Sequence, residues 1–131
     1  MKKHIAVISK ICLAGLIASA VLVLQLNAAE SKDNPTKVFM KTYHKAPKGV
    51  DPVCKRAIDG KATPAELKKL VEGYKAMIDA KPPKGDDASW HEKTTKLCAA
   101  ADSLAKGAPG AAAAYKEAVN CKACHSAHKG D

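Results

Sequence analysis

The chain is 131 residues long, with 22 Lys and Arg against 13 Asp and Glu and a formal net charge of +9. That excess of base invites a nucleic-acid reading, yet Arg56 is the single arginine, and Phe39, Tyr43, Tyr74, Trp90 and Tyr115 are the whole aromatic inventory. Nucleic-acid surfaces are built from guanidinium forks and stacking faces, so no nucleic-acid partner is expected. An acidic protein partner, drawn in by electrostatic steering, suits a lysine surface better. The plainer reading is that the lysines keep an alanine-rich helical surface solvated.

At the N-terminus MKKHIAVISK carries lysines and no acid, ICLAGLIASAVLVLQL continues as an apolar run, and NAAE returns to small and polar residues. This is the pattern of a secretory signal. The run falls short of the ~20 apolar residues that span a bilayer, so cleavage after Ala28 or Ala29 is expected rather than a retained anchor. Residues 1–29 are read as a signal peptide and 30–131 as one exported, periplasmic domain with no membrane attachment. Cys12 lies inside the apolar run and leaves with it. All 13 acids and nineteen of the 22 bases fall in 30–131, which therefore carries +6.

The rest of the chain punctuates itself with caps and breakers. Asn34 before Pro35 predicts an N-cap with proline at the first helical position, opening PTKVFMKTYHK, which Pro47 and Gly49 stop. Asp51 before Pro52 repeats the signal for a turn or two, PVCKRAID, ending at Gly60. TPAE at 63–66 reads as a capping box, and Leu67, Leu70, Val71, Tyr74 and Ile78 follow at helical spacing. After the turn KPPKG, Asp86 or Asp87 caps a helix whose Trp90, Thr94, Leu97, Ala101 and Leu104 form a near-heptad seam. Gly107, Pro109 and Gly110 end it. The last segment, AAAAYKEAVNCKACHSAHK, holds no breaker before Gly130 and is predicted as one helix. No strand pattern and no internal repeat is present. Four helices with short connections predict an all-α fold, an antiparallel four-helix bundle. Its interior would be thin, mostly alanine and threonine beyond the residues above, and a chain this size buries only ~60–65 % of its unfolded surface. Something else should fill the core.

The stretch NCKACHSAHKGD supplies a candidate. On a helix Cys121, Cys124 and His125 stand at i, i+3 and i+4 and share one face, and the spacing C-x-x-C-H is that of covalent haem attachment. Two thiols can form thioethers with the two haem vinyl groups while the His125 imidazole faces the iron. The rival readings are weaker. A thioredoxin-like dithiol follows a strand in a βαβ unit, which is lacking here. Zinc takes four ligands, and only His128, His91 or His44 could complete a set. One covalently attached haem c is expected, held by Cys121, Cys124 and His125.

With the motif on the last of four predicted helices and no methionine after Cys124, the chain resembles the cytochrome c-prime type, the four-helix-bundle c cytochromes. MKTYHK, PPKGDDASW and CKACHSAHK also look like small single-haem proteins of planctomycete-type bacteria. The resemblance covers the chain from about Lys37 onward. It implies a haem bound on the C-terminal helix between helices one, three and four, with His125 as proximal ligand and the distal position on helix one. There the candidates are Met40 and, alternatively, His44, one turn apart on the same face. Met40 would give a six-coordinate iron of raised potential, suited to electron transfer, and His44 a lower-potential bis-histidine iron. If Phe39 or another apolar group covers the site, the iron stays five-coordinate and takes up NO or CO. Against these stand plainer roles: Met40 as core filler, His44 as a solvated residue near a helix end, and Met77 as packing.

Cys54 and Cys98 either pair as a disulfide, as leftover thiols in an oxidising compartment often do, or are packed thiols. His128 is expected to be a solvated histidine favoured by the helix dipole, with a contact to a haem propionate as the alternative. Trp90 and Tyr115 are expected in the core. The function expected is one-electron transfer with an acidic redox partner, the alternative being gas binding, with a homodimer left open. No enzyme activity is expected, because no distal acid–base pair beyond His44 presents itself.

Overall fold

Polar caps and prolines start three of the helices where the sequence puts them. The computed structural model describes residues 34–130; the expected signal peptide, 1–29, lies outside the described residues. Helix α1 spans Pro35–Tyr43, and the Asn34 side chain accepts from the Thr36 N–H at 2.9 Å. A short α2, Val53–Ile58, starts differently from the expectation. Pro52 is its N-cap and no side chain caps it; Asp51 instead reaches Lys55 at 2.8 Å. Helix α3, Pro64–Asp79, opens on the full capping box of Thr63 and Glu66, and Glu66 also pairs with Arg56 of α2. Helix α4, Asp87–Ala105, is capped by Asp86, whose carboxylate accepts from the Ser89 N–H at 2.7 Å.

The last segment is not one helix. It divides into α5, Ala111–Ala118, and α6, Cys121–His128. Val119 sits at φ −75°, ψ 61°, and the Asn120 N–H donates to the Ala118 carbonyl at 2.8 Å, which is an inverse γ-turn. Asn120 then acts as a new N-cap, accepting from the Ala123 N–H at 3.0 Å. An asparagine side chain that can satisfy a fresh helix start offsets the lost helical bonds. The consequence is that the Cys-Cys-His motif occupies its own short helix, free to take a direction different from α5.

All described secondary structure is helical. Helices α3 and α4 pack along each other, α4 packs on α5 and α6, α1 lies on α3, and α2 contacts α3 and α5. The core between them is Phe39, Ala57, Leu70, Tyr74, Met77, Trp90, Leu97, Cys98, Ala101 and Tyr115. On α4 the expected seam holds: Trp90, Thr94, Leu97 and Ala101 are buried, with Leu104 packed at the edge. On α3 the deepest residues are Leu70, Tyr74 and Met77, while Ile78 is only partly buried. Among the described residues no helix is long and apolar enough to cross a membrane.

Two close approaches fix the ends. Gly73, in the middle of α3, lies directly under the Phe39 ring, and a Cβ there would overlap it. At the other end Gly85, with φ 85°, lets the α3–α4 turn touch the backbone of Ala127 and the His128 ring. His128 is 2 % exposed, so it is not the solvated residue expected. Its Nδ1 donates to the Lys84 carbonyl at 3.0 Å, and its Nε2 lies 3.2 Å from Ser89 Oγ. Lys93 Nζ donates to that same Ser89 oxygen at 2.9 Å, so the hydroxyl is left to donate to His128. With the Trp90 ring edge-on at 5.5 Å, this chain of bonds pins the end of α6 to the start of α4.

Candidate functional site

The break at Val119–Asn120 lays α6 along one wall of a cavity of about 490 Å³, within the ~300–1,000 Å³ usual for ligand sites. Cys121, Cys124 and His125 line it, together with Ala118, Val119 and Asn120. Met40 and His44 from α1, Met77 from α3, and Thr94 and Leu97 from α4 complete its walls, with Glu92, Lys93, Lys96 and Glu117 bringing charge to it. Cys121, Cys124, His125, Met40 and His44 thus share a single cavity. Within the motif, Cys121 and His125 are solvent-exposed and Cys124 is half-buried, so α6 presents the cavity an edge open to water. Burial pushes the Cys124 thiol up, with Lys93 working in the opposite direction.

Met40 and His44 line the same cavity one helical turn apart, as their spacing predicts. His44 is not the solvated histidine of a helix end. Its backbone N–H closes α1 on the Met40 carbonyl at 3.1 Å, and its ring turns inward, with Nε2 2.8 Å from Tyr74 Oη. Burial, and then the charge of His125, push its pKa down to about 4. At neutral pH His44 is therefore uncharged. Behind it Tyr74 Oη lies 2.7 Å from Tyr115 Oη. Both phenols are completely buried, and burial pushes both pKa values above the ordinary tyrosine range.

Phe39 does not cover the cavity. Its ring packs on Gly73 and stands edge-on to Tyr74 at 5.2 Å. Met77, by contrast, is 2 % exposed and lines the cavity. The helical stripe on α3 already contained it at seven residues from Leu70. Trp90 is core, its Nε1 donating to the Met77 and Ala80 carbonyls at 2.8 and 2.9 Å. That bond also fixes the backbone from which Met77 projects. Tyr115 is core too, but it joins the site through Tyr74.

Cys54 and Cys98 are separate free thiols, both buried, so the disulfide alternative is not formed. Burial raises both, and their next neighbours differ: Cys121 acts on Cys54, while Lys75 and Asp102 act on Cys98. They stand in different surroundings. Among the described residues no group of three or more His, Cys, Asp or Glu is arranged to hold a metal ion by itself, so any metal here would need ligands beyond such a cluster.

No family model, curated protein or solved structure matches this chain.

Proposed function

We propose that the chain is an exported, periplasmic c-type cytochrome with one covalently attached haem, working as a one-electron carrier. The observation that carries the reading is the C-x-x-C-H motif on α6 lining the same cavity as Met40 and His44. The donor set fits that group: two thiols and an imidazole from one helix, a thioether and an imidazole from another, and apolar Met77, Leu97, Ala118 and Val119 between them. When bound, the haem would supply the ferric–ferrous couple.

The rest is done by the chain. Cys121 and Cys124 would hold the haem as thioethers, each S–H adding across a vinyl group so that no oxidant is needed. His125 and Met40 would hold the iron, and the soft thioether of Met40 would favour the ferrous state and raise the potential. Lys93 and Lys96 at the cavity are suited to pair with propionate carboxylates. The exposed Cys121 and His125 offer an edge for electron exchange, and the +6 of residues 30–131 draws an acidic redox partner. In this reading α1, α3, α4 and the broken rod α5–α6 are the four members of an antiparallel bundle, with α2 as an insertion.

Gas binding is the second reading, and one observation favours it. His44 is tied to Tyr74, so if Met40 stays a packing residue, the distal side is left open for NO or CO. The test is the protein expressed with a haem-attachment machinery. Its intact mass should exceed the polypeptide by one haem that survives acid–acetone extraction, and its ferrous spectrum should be unchanged by CO. A mass equal to the bare polypeptide removes the cytochrome reading, whereas a CO-induced shift turns the function to gas binding.

A further inference from the structure

The cavity holds two side chains on α1 able to bind iron, and the imidazole is the stronger ligand for the ferric ion. We propose that Tyr74, backed by Tyr115, is a latch that holds His44 and would keep it from binding the iron of a haem held by His125. The inference rests on the haem reading above and names the device that sets its ligation.

The geometry of the latch is closed at every point. Nε2 is the ring nitrogen farther from the backbone and the one with the reach to meet a metal, and it is this nitrogen that lies 2.8 Å from Tyr74 Oη. Tyr74 cannot easily turn aside. Its side chain is 0 % exposed, the Phe39 ring stands edge-on to it at 5.2 Å, and its hydroxyl is held from the far side by Tyr115 Oη at 2.7 Å. Swinging His44 toward the cavity would leave the Tyr74 hydroxyl with one partner fewer in a site that water does not reach, and buried polar groups left unpaired are costly.

His44 is also held at its backbone, because its N–H closes α1 on the Met40 carbonyl. The two candidate ligands therefore move as one unit at the end of α1. While Tyr74 holds the ring, the side chain of this unit left to face the cavity is Met40. Tyr115 adds a link to the motif. It lies in α5, and its carbonyl accepts the Val119 N–H at 2.9 Å, at the turn from which α6 departs. The residues that hold His44 are thus braced against the segment that carries Cys121, Cys124 and His125. Tyr74 and Tyr115 act as positioning residues, since neither lines the cavity.

The test compares the haem-loaded wild-type protein with Tyr74→Phe, Tyr115→Phe and the double variant Tyr74→Phe/His44→Ala, by ferric absorption and electron paramagnetic resonance spectra and by midpoint potential. In the wild type no bis-histidine signature is expected. In Tyr74→Phe the freed imidazole should give that signature and lower the potential, as replacement of methionine by histidine does. The double variant should return to the wild-type spectrum. Tyr115→Phe, which keeps the Tyr74 hydroxyl but removes its support, should show a mixture of the two forms, and it serves the same purpose should Tyr74→Phe not accumulate. A bis-histidine wild type, or haem-loaded Tyr74→Phe and Tyr115→Phe proteins with the wild-type spectrum, would overturn the latch while leaving the cytochrome reading intact. A chain recovered without covalent haem overturns both.

Discussion

Met40 and His44 show how far single residues could be read. Their spacing put them on one face of one helix, and both line the cavity. What the spacing did not contain is the partner of His44, because Tyr74 is 30 residues away. The same is true of His128, whose carbonyl partner Lys84 is 44 residues distant. A histidine beside a lysine near a chain end looks solvated until the fold brings a carbonyl and a hydroxyl to its ring. Met77, expected as packing, is buried in the helical stripe that Leu70 and Tyr74 define and also lines the cavity. At this scale the sixth-ligand assignment makes a direct prediction. Replacing Met40 with Ala in the haem-loaded protein should remove the methionine-to-iron charge-transfer band and open the iron to CO. A low-spin spectrum unchanged by the substitution would show that Met77 or His44 holds the position instead.

At the scale of elements, starts were legible and continuity was not. Asn34, Thr63 and Asp86 cap the helices they were expected to cap, because a cap is a bond between residues two or three apart. The single long C-terminal helix was the error. Nothing in AAAAYKEAVNCKACH forbids a helix, but Asn120 is as good an N-cap as an interior residue, and a γ-turn at Val119 lets α5 bury Tyr115 while α6 follows its own direction. Gly73 looks equally anomalous by local propensity, since a helix-interior glycine costs about 1 kcal/mol relative to alanine. Its reason is the Phe39 ring above it. Gly73→Ala should therefore destabilise the protein by about 1–2 kcal/mol, the overpacking penalty exceeding the propensity gain. The measurement is the denaturant midpoint at unchanged m. In a Phe39→Ala background the same substitution should stabilise, and equal effects in both backgrounds would mean that the ring yields without strain.

Across the whole molecule, the thin apolar inventory is balanced by inward-turned polar side chains that find partners: His44 with Tyr74 and Tyr74 with Tyr115, and His128 with the Ser89 hydroxyl and the Lys84 backbone carbonyl. No buried side-chain nitrogen or oxygen among the described residues lacks a partner. This has a pH signature. His44 is held down from 6.5 to about 4 in the fold, so between those values the unfolded chain takes up a proton that the folded one refuses. Stability is then fully present above pH 6.5 and is lost as the pH falls toward 4, by about 2–3 kcal/mol from this group. Unfolding midpoints of the protein without haem, in which His125 is free to carry a proton, measured from pH 7 to 4 should show that loss, and His44→Gln should flatten it. An equal slope in the variant would place the acid sensitivity elsewhere. By itself the sequence determined the all-helical class, the caps at Asn34, Thr63 and Asp86, the inner face of α4 and the C-x-x-C-H spacing, because each depends on residues within a few turns of one another. Only the tertiary structure decided that α6 breaks away from α5, that Cys54 and Cys98 stand in different surroundings, and that Tyr74 claims a nitrogen of His44. Those outcomes depend on which helix faces meet, and contacts between residues 30 to 44 positions apart leave no periodic trace in the chain.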